Sequence, residues 1–124
     1  MHRPFLSIGF ILGFLGVAAG AFGAHALGDS LDADRIRTFE TAVRYQLIHA
    51  LALIGIGLAI ARWPDRNWWI AGALITAGTT VFSGSLYALS LTDIGAFGAV
   101  APVGGVLLLA GWLWAWRATA RLPG

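Results

Sequence analysis

Three ionisable side chains fall inside apolar stretches of this sequence, and they are the first candidates for chemistry. They are His25, Arg44 and His49. A titratable group is costly in hydrocarbon, so each marks a candidate functional position. The chain has no cysteine, which excludes a thiolate metal site and a thiol nucleophile. The histidines lack HExxH spacing, and no serine lies in a G-x-S-x-G setting, so the common hydrolase motifs are absent.

Other polar residues fall at matching ends of the predicted helices. If four helices alternate in direction, the end of the first and third helices shares one side of the membrane with the start of the second and fourth. This arrangement predicts a polar cluster on the non-cytoplasmic side. Its candidate members are His25, Glu40, Arg44, Tyr45, Gln46, His49, Ser83, Ser85 and Tyr87.

Three interpretations of this polar cluster stay open. The histidines could be interhelical hydrogen-bonding groups, or the cluster could line a cavity for a proton, an ion or a small ligand. A metal site of two histidines and a carboxylate is the third, although the ligand spacing does not support it, and we expect neither metal nor cofactor. We expect His25 to approach His49 near Tyr45, Gln46 and Tyr87. We also expect Glu40 to pair with Arg44, or both to reach the interface.

The elements that must position these residues are four long apolar segments. Hydrophobic residues make up 58% of the 124-residue chain and charged residues only 11%, about half the charged fraction of a soluble domain. About 20 apolar residues cross the hydrocarbon as a helix, and four helices are expected at 5–27, 32–61, 67–91 and 96–116. Short connections make neighbours antiparallel. The sequence therefore predicts an all-α integral membrane protein, a single domain over 1–124 folded as an up-down four-helix bundle.

The second of these helices is expected to begin before its apolar part. Ile36, Phe39, Val43 and Leu47 recur at helical spacing with charged residues between them. This pattern predicts an amphipathic lead-in from residue 32, with Ser30 or Asp29 as the N-cap.

The distribution of arginine predicts the orientation in the membrane. Five of the eight arginines flank one side, namely Arg3, Arg62, Arg66, Arg117 and Arg121, and three flank the other. Positive residues favour the cytoplasmic side, so both termini are expected in the cytoplasm. Trp63, Trp68, Trp69, Trp112, Trp114 and Trp116 are expected to form an aromatic belt at that interface. The scattered arginines make no patch for nucleic acid.

The N-terminal apolar segment also resembles a secretory signal, because residues 24–26 fit an A-x-A cleavage pattern. The segment is longer than a signal peptide needs and carries glycines at packing spacing, so a retained helix is expected. In this segment Gly9 with Gly13 and Gly16 with Gly20 are each spaced as GxxxG, and in the third helix a small residue recurs at every fourth position, at Gly72, Thr76, Thr80 and Gly84. Such residues permit close helix contact, and leucine at position 80 or 84 is expected to disrupt it.

Several strings in the chain resemble one known family. They are GAFGAHAL at 20–27, FETAVRYQ at 39–46, HALAL at 49–53, FSGSLY at 82–87, APVGG at 101–105 and GW at 111–112. Together they resemble the YgdD-like family of small bacterial inner-membrane proteins, a domain-of-unknown-function family with short animal transmembrane relatives. The resemblance implies a four-span membrane protein with no established activity. Within these strings Pro102, Gly104 and Gly105 are expected helix-packing positions.

The leading hypothesis is a small non-enzymatic protein of the lipid bilayer that packs against itself or another membrane protein. The alternative is a subunit of a transporter or channel that handles a small solute or proton through the polar end. Four short helices would need oligomerisation to make a continuous path. A membrane enzyme acting on lipid is a third hypothesis.

Overall fold

The computed structural model describes residues 3–124, apart from the side chain of residue 24. Its elements are α1 (Arg3–Ala18), a π-helical turn (Ala19–Gly23), α2 (Ala24–Leu27), α3 (Ala33–Arg62), α4 (Arg66–Thr92) and α5 (Ala96–Thr119). Counting α1 to α2 as one segment, four helices are long and apolar enough to cross a membrane. The all-α prediction is confirmed, and no predicted helix end is more than three residues from the observed one.

The first membrane-spanning segment contains an irregularity that the sequence pattern did not predict. The π-helical turn Ala19–Gly23 has the sequence AGAFG, and such a turn adds a residue to the helical repeat. Each added residue rotates the remainder of the helix by about 100° about its axis. Gly23 lies against the ring of Phe39, to which an added Cβ would come within 2.9 Å.

The N-cap of α3 is Asp32, not Asp29 or Ser30 as expected. The Asp32 side chain accepts a hydrogen bond of 2.9 Å from the backbone N–H of Arg35. The backbone N–H groups of Ser30 and Leu31 donate instead to the carbonyl of Leu27, because residues 28–31 form the turn that ends α2. The expected amphipathic lead-in is the first part of one continuous 30-residue helix.

Each long helix runs antiparallel to the one before it, because the contacting residues pair in opposite order. The pairs are Gly9 with Ala50 and Gly20 with Val43 for α1 and α3, Arg35 with Ser90 and Ala42 with Ser83 for α3 and α4, and Leu89 with Gly98 and Ile75 with Gly111 for α4 and α5. Neighbours in the sequence are thus neighbours in space. α1 also touches α4 where the rings of Phe5 and Trp69 lie 5.1 Å apart.

The two ends of the bundle differ in what they bury. We call the end at which α4 begins the Arg66 end, and the opposite end, at which α4 stops and α5 begins, the Asp93 end. The apolar core lies towards the Arg66 end, and its members include Phe5, Leu53, Ile56, Ile60, Trp68, Ala71, Ile75 and Leu108. Buried polar side chains lie from the middle of the bundle to the Asp93 end, namely Gln46, His49, Thr79, Ser83, Ser85 and Ser90.

Candidate functional site

A groove of about 380 Å³ lies between α1 and α4, with α3 as its floor, and we call it the α1/α4 groove. It is lined by Leu12, Leu15, Ala19, Gln46, Thr79, Thr80, Ser83, Gly84 and Tyr87. At the Arg66 end α1 and α4 meet directly, since Phe5 packs on Gly72 and Trp69. Beyond that contact the two helices are separated by the width of the groove.

Gln46 is the centre of the hydrogen bonds in the α1/α4 groove. Its Nε2 donates to the backbone carbonyl of Leu12 at 2.9 Å, and its Oε1 accepts from the hydroxyl of Tyr87 at 2.6 Å. The side chain is 6% exposed. A single amide from α3 therefore ties α1 to α4. Beside it, the Ser83 hydroxyl donates to the carbonyl of Ala42 at 2.8 Å.

Thr79 is the groove residue whose polar atom is not satisfied. Its side chain is 2% exposed, and its Oγ1 has no hydrogen-bond partner among residues 3–124. Thr79 is also the central residue of α4, thirteen positions from Arg66 and thirteen from Thr92. Thr79 therefore places an unpartnered hydroxyl beside the groove, near the middle of the membrane-spanning helix.

The lining of the α1/α4 groove carries hydroxyls and an amide but no acidic, basic or histidine side chain. Nor do the described residues contain a group of three His, Cys, Asp or Glu that could hold a metal ion. The arrangement offers hydrogen bonds from hydroxyl groups and one amide.

His49 lies away from this groove and links α3 to α5. Its Nε2 is 3.0 Å from the indole Nε1 of Trp112, and its Nδ1 is 2.6 Å from the carbonyl of Tyr45. Because an indole N–H only donates, Nε2 must be the acceptor and Nδ1 must carry the proton. Both ring nitrogens of the neutral imidazole are satisfied by the protein.

Comparison with known proteins gives the family. A family model described as "Protein of unknown function (DUF423)" matches residues 19–105. The chain belongs to the DUF423 family. It is 41% identical over 123 residues to a UPF0382 membrane protein of Staphylococcus epidermidis, which covers 98% of this chain and 99% of the relative.

A second relative extends the same match to another group of bacteria. The UPF0382 inner membrane protein YgdD of Escherichia coli K12 is 40% identical over 110 residues, which covers 89% of this chain and 84% of the relative. No solved structure matches the chain. The expected family is confirmed. Because the chain also has four apolar helices long enough to cross a membrane, it is a multi-pass membrane protein of an uncharacterised family. Of the residues lining the α1/α4 groove, all but Leu12 and Leu15 fall inside the family match.

The residues expected in one polar cluster are divided among separate places. Gln46, Ser83 and Tyr87 lie together in the α1/α4 groove, while His49 turns to α5. The expected approach of His25 to His49 is wrong. His25 is exposed, and the residue two before it packs on Phe39, ten positions from His49 or about 15 Å along α3.

The remaining members of the expected cluster also lie apart. Glu40 and Arg44 are exposed. Between residues 3 and 124 the ion pairs join Arg37 to Asp34 and Arg121 to Asp65. The expected pairing of Glu40 with Arg44 is therefore not formed. Both side chains lie on the surface of the bundle, and their position at the membrane interface stays a prediction.

Two further members of the expected cluster contact Phe82. The ring of Tyr45 packs against the Phe82 ring with centroids 4.5 Å apart. The buried Ser85 hydroxyl donates to the carbonyl of Phe82 in its own helix.

The expected packing residues fall into three groups. Closely packed positions, where an added Cβ would meet a neighbour at 3.0 Å or less, are Gly9, Gly16, Gly20, Gly72 and Gly104. At Gly13 and Gly105 an added Cβ would have only ordinary contacts, at 4.0 and 3.9 Å. The hydroxyl of Thr76 is buried without a hydrogen-bond partner in the described part of the chain. Thr80, Gly84 and Pro102 are exposed.

Gly84 departs furthest from the expectation, because a Cβ there would meet nothing within 4 Å. Leucine at position 84 is therefore not expected to disturb packing within one chain. Four other closely packed glycines were not predicted, namely Gly23, Gly57, Gly78 and Gly111. A glycine in a helix interior disfavours the helix, so each of these was a usable sign of close approach.

The tryptophans of the expected belt have different surroundings. Trp114 donates its indole N–H to the Asn67 side chain near the Arg66 end, and Trp116 is 73% exposed. Trp68 is part of the core, and Trp112 reaches His49. Neither the buried hydroxyl of Thr79 nor the indole contact of Trp112 was predicted, because a threonine beside a small-residue stripe and a tryptophan near a helix end both have common structural roles.

Proposed function

We propose that this protein is a small non-enzymatic membrane protein that packs against itself or another membrane component through α4. The observation that carries this proposal is the composition of the exposed face of α4, which consists of Ala73, Ala77, Thr80 and Gly84 over most of its length. Lipid tails are as apolar as leucine, so helices associate in membranes where small residues let the backbones approach closely.

The exposed faces of the other membrane-spanning helices differ from that of α4. On α1 and α5 the exposed side chains are large, for example Phe14 at 75%, Leu109 at 67% and Trp116 at 73% exposure. Side chains of this size fit a surface covered by lipid. The contrast within one molecule favours α4 as the face that meets another helix.

The non-enzymatic part of the proposal is supported by the chemistry of the buried polar residues. The α1/α4 groove has no acidic, basic or histidine side chain, and both ring nitrogens of His49 are occupied by protein groups. General acid–base catalysis needs a titratable group within reach of the substrate. Neither the α1/α4 groove nor the surroundings of His49 offer a free acidic, basic or histidine side chain.

We further propose a bacterial inner membrane location with both termini in the cytoplasm. The support is the excess of arginine at the Arg66 end, five against three, and the name of the Escherichia coli relative, an inner membrane protein. A reporter fused after Gly124 is expected to be active only in its cytoplasmic form. Activity of a reporter that requires the periplasm would contradict this orientation.

A transporter or channel subunit is the second candidate, and the placement of buried polar groups favours it. Gln46, Thr79 and Ser83 give one half of the bundle a polar interior, while the other half is filled by the apolar core. A continuous path would therefore need residues from other subunits. Solute or proton flux into liposomes that contain the purified protein, lost in Gln46→Leu, would support this candidate over packing alone.

Cysteine cross-linking tests the proposed packing, because the natural chain has no cysteine. Ala77→Cys in native membranes is expected to give a disulfide dimer if the partner is a second copy. If the partner is another protein, a photoreactive residue at 77 is expected to give a heavier protein adduct. Leu109→Cys on the lipid-facing side of α5 is the matched control. Equal cross-linking at 77 and 109, or none at 77, would contradict the proposal.

A further inference from the structure

The free hydrogen-bonding groups of the α1/α4 groove define what could bind there. Thr79 has an unpartnered hydroxyl and is 2% exposed. The Nε2 of Gln46 carries two hydrogens, of which one goes to the carbonyl of Leu12. The hydroxyl hydrogens of Ser83 and Tyr87 are already donated to protein acceptors. The groove therefore has two donors without a partner, from Thr79 and Gln46, and an acceptor atom on a ligand would satisfy both.

The depth of the groove limits the ligand further. Thr79 is thirteen residues from either end of α4, which corresponds to about 20 Å along the axis. Half of the hydrocarbon thickness is about 15 Å, so Thr79 lies near the centre of the membrane. The charged headgroup of a phospholipid stays at the interface, and its ester carbonyls stay close to that headgroup. The acceptor must belong to a lipid whose polar group can leave the interface.

The lining agrees with an uncharged ligand that has an apolar chain. Leu12, Leu15 and Ala19 form an apolar wall opposite the hydroxyls and the amide, and no lining residue is acidic or basic. A charged group would enter this groove without a counter-ion, at a high desolvation cost. An uncharged head with one or two carbonyl oxygens would satisfy the free donors and leave its chain along α1.

We infer that the α1/α4 groove binds an uncharged lipid through a carbonyl oxygen that accepts hydrogen bonds from Thr79 and Gln46. Two classes of membrane molecule supply this chemistry, an isoprenoid quinone and a diacylglycerol. The inference goes beyond the proposed packing through α4, because it concerns the side of α4 that faces α1. The two surfaces share Thr80 and Gly84, whereas Thr79 belongs to the groove alone and Ala73 and Ala77 to the packing face alone.

Photolabelling of the full chain in lipid nanodiscs tests this inference and distinguishes the two sources. The probes are a photoreactive ubiquinone analogue and a photoreactive diacylglycerol, with phosphatidylglycerol carrying the same photoreactive chain for comparison. One of the uncharged probes is expected to label peptides of α1 or α4 saturably, and the unlabelled lipid of the same class is expected to compete. Label from phosphatidylglycerol is expected to be weak and not saturable.

Threonine variants on α4 provide the matched control. Thr79→Val keeps the side-chain shape and removes the hydroxyl, so the affinity for the probe is expected to fall about five- to tenfold. Thr79→Ser restores the hydroxyl and is expected to restore binding. Thr76→Val removes the other buried unpartnered hydroxyl of this helix, which does not line the groove, and is expected to leave the affinity unchanged.

A variant that fills the groove keeps the test decisive if Thr79→Val does not fold. Ala19→Leu adds bulk on the α1 side and removes no hydrogen bond, so saturable labelling is expected to disappear while cross-linking through Ala77→Cys persists. Loss of cross-linking with labelling retained would instead count against the proposed packing alone. Labelling that is absent, not saturable, equal for phosphatidylglycerol, or unchanged in both Thr79→Val and Ala19→Leu would overturn the inference.

Discussion

At the scale of single residues, His49 shows how one polar side chain can hold two elements together inside a membrane. Its Nδ1–H donates to the carbonyl of Tyr45 in the same helix, and its Nε2 accepts from Trp112 on α5. The imidazole is 4% exposed, where water cannot replace either partner. The histidine therefore has a structural explanation that requires no proton transfer.

Removing either partner of the His49–Trp112 hydrogen bond is expected to destabilise the protein. His49→Leu leaves the indole N–H without an acceptor, which costs about 1–3 kcal/mol, and Trp112→Phe removes the donor. The double variant is expected to lose less than the sum of the two single losses, because both act on one interaction. Reversible unfolding in detergent measures these losses, and Trp116→Phe on the exposed surface is the control. A Trp112→Phe protein as stable as the Trp116→Phe protein would contradict the bond.

The protonation of His49 provides a second, spectroscopic check at this scale. Since Nε2 accepts from an indole that can only donate, the proton is expected on Nδ1. Nitrogen-15 NMR of histidine-labelled protein in detergent is expected to show one buried imidazole with protonated Nδ1 and unprotonated Nε2. The opposite tautomer would be incompatible with the Trp112 contact.

At the scale of elements, glycine sets the distance between α4 and α5. An added Cβ at Gly104 would collide with the backbone of Phe82, and one at Gly78 would come within 2.8 Å of the backbone nitrogen of Leu108. Neither obstacle is a flexible side chain that could move aside. The two helices can pack at this distance only because these positions lack a side chain.

Alanine substitution in the APVGG segment tests the role of glycine in this interface. Gly104→Ala is expected to cost about 1–3 kcal/mol through forced movement of α4. Gly105→Ala is the adjacent control, where the new Cβ would have an ordinary contact of 3.9 Å with the Phe82 ring, so the protein is expected to be as stable as the natural chain or slightly more so. Equal unfolding free energies for the two variants would show that the α4–α5 distance is not limited at Gly104.

Arg35 connects the first turn of α3 to the last turn of α4. Its Nε donates to the carbonyl of Ser90 at 2.8 Å and its Nη2 to that of Leu91 at 2.9 Å. These carbonyls lie at the C-terminal end of α4, where no further helical N–H is available to them. A side chain from another helix thus caps α4 where Asp93 turns the chain with φ 57°.

Arg35→Gln is expected to destabilise the protein by about 1–3 kcal/mol through loss of the charged hydrogen bonds and to speed amide exchange in the last turn of α4. Arg37→Gln is the matched control two positions away. Among residues 3–124 Arg37 pairs only with Asp34 on its own helix, and it is 71% exposed, so its removal is expected to cost less than about 0.5 kcal/mol. Similar exchange in both variants would show that Arg35 does not cap α4.

The helices were predictable from the sequence because their lengths follow from apolar runs between Arg- and Asp-containing turns. The orientation of single residues was less predictable. Asp29, Ser30 and Asp32 can all cap a helix, and only the turn that ends α2 selects Asp32. The π-helical turn at Ala19–Gly23 shifts the register before His25, which no apolar periodicity reports.

The end of the bundle at which the polar residues lie was predictable from the sequence, but which of these residues lie together was not. Gln46 and Tyr87 were expected near each other and form a hydrogen bond. Helix rotation decides that His49, only three residues from Gln46, faces α5 instead. Thr79 is buried without a hydrogen-bond partner because α1 and α4 are held apart at this level. That separation results from the packing of three helices, and no local sequence motif indicates it.

At the scale of the whole molecule, the bundle combines an apolar half, a polar half and one exposed helix face built of small residues. The large exposed side chains of α1 and α5 suit lipid, whereas Ala73, Ala77 and Thr80 of α4 expose little surface for lipid to cover. A second helix can approach this face closely. The proposed packing role therefore rests on the contrast between α4 and the other helices.

The mass of the protein extracted in native-membrane nanoparticles tests this claim most directly. The chain alone is 13.1 kDa, and we predict a particle whose protein mass exceeds this by a second copy or a partner. Ala77→Phe, which places a large ring on the small face of α4, is expected to reduce the mass to that of the single chain, while Leu109→Phe on α5 leaves it unchanged. A natural protein that measures 13.1 kDa, or an assembly that Ala77→Phe leaves intact, would contradict the account.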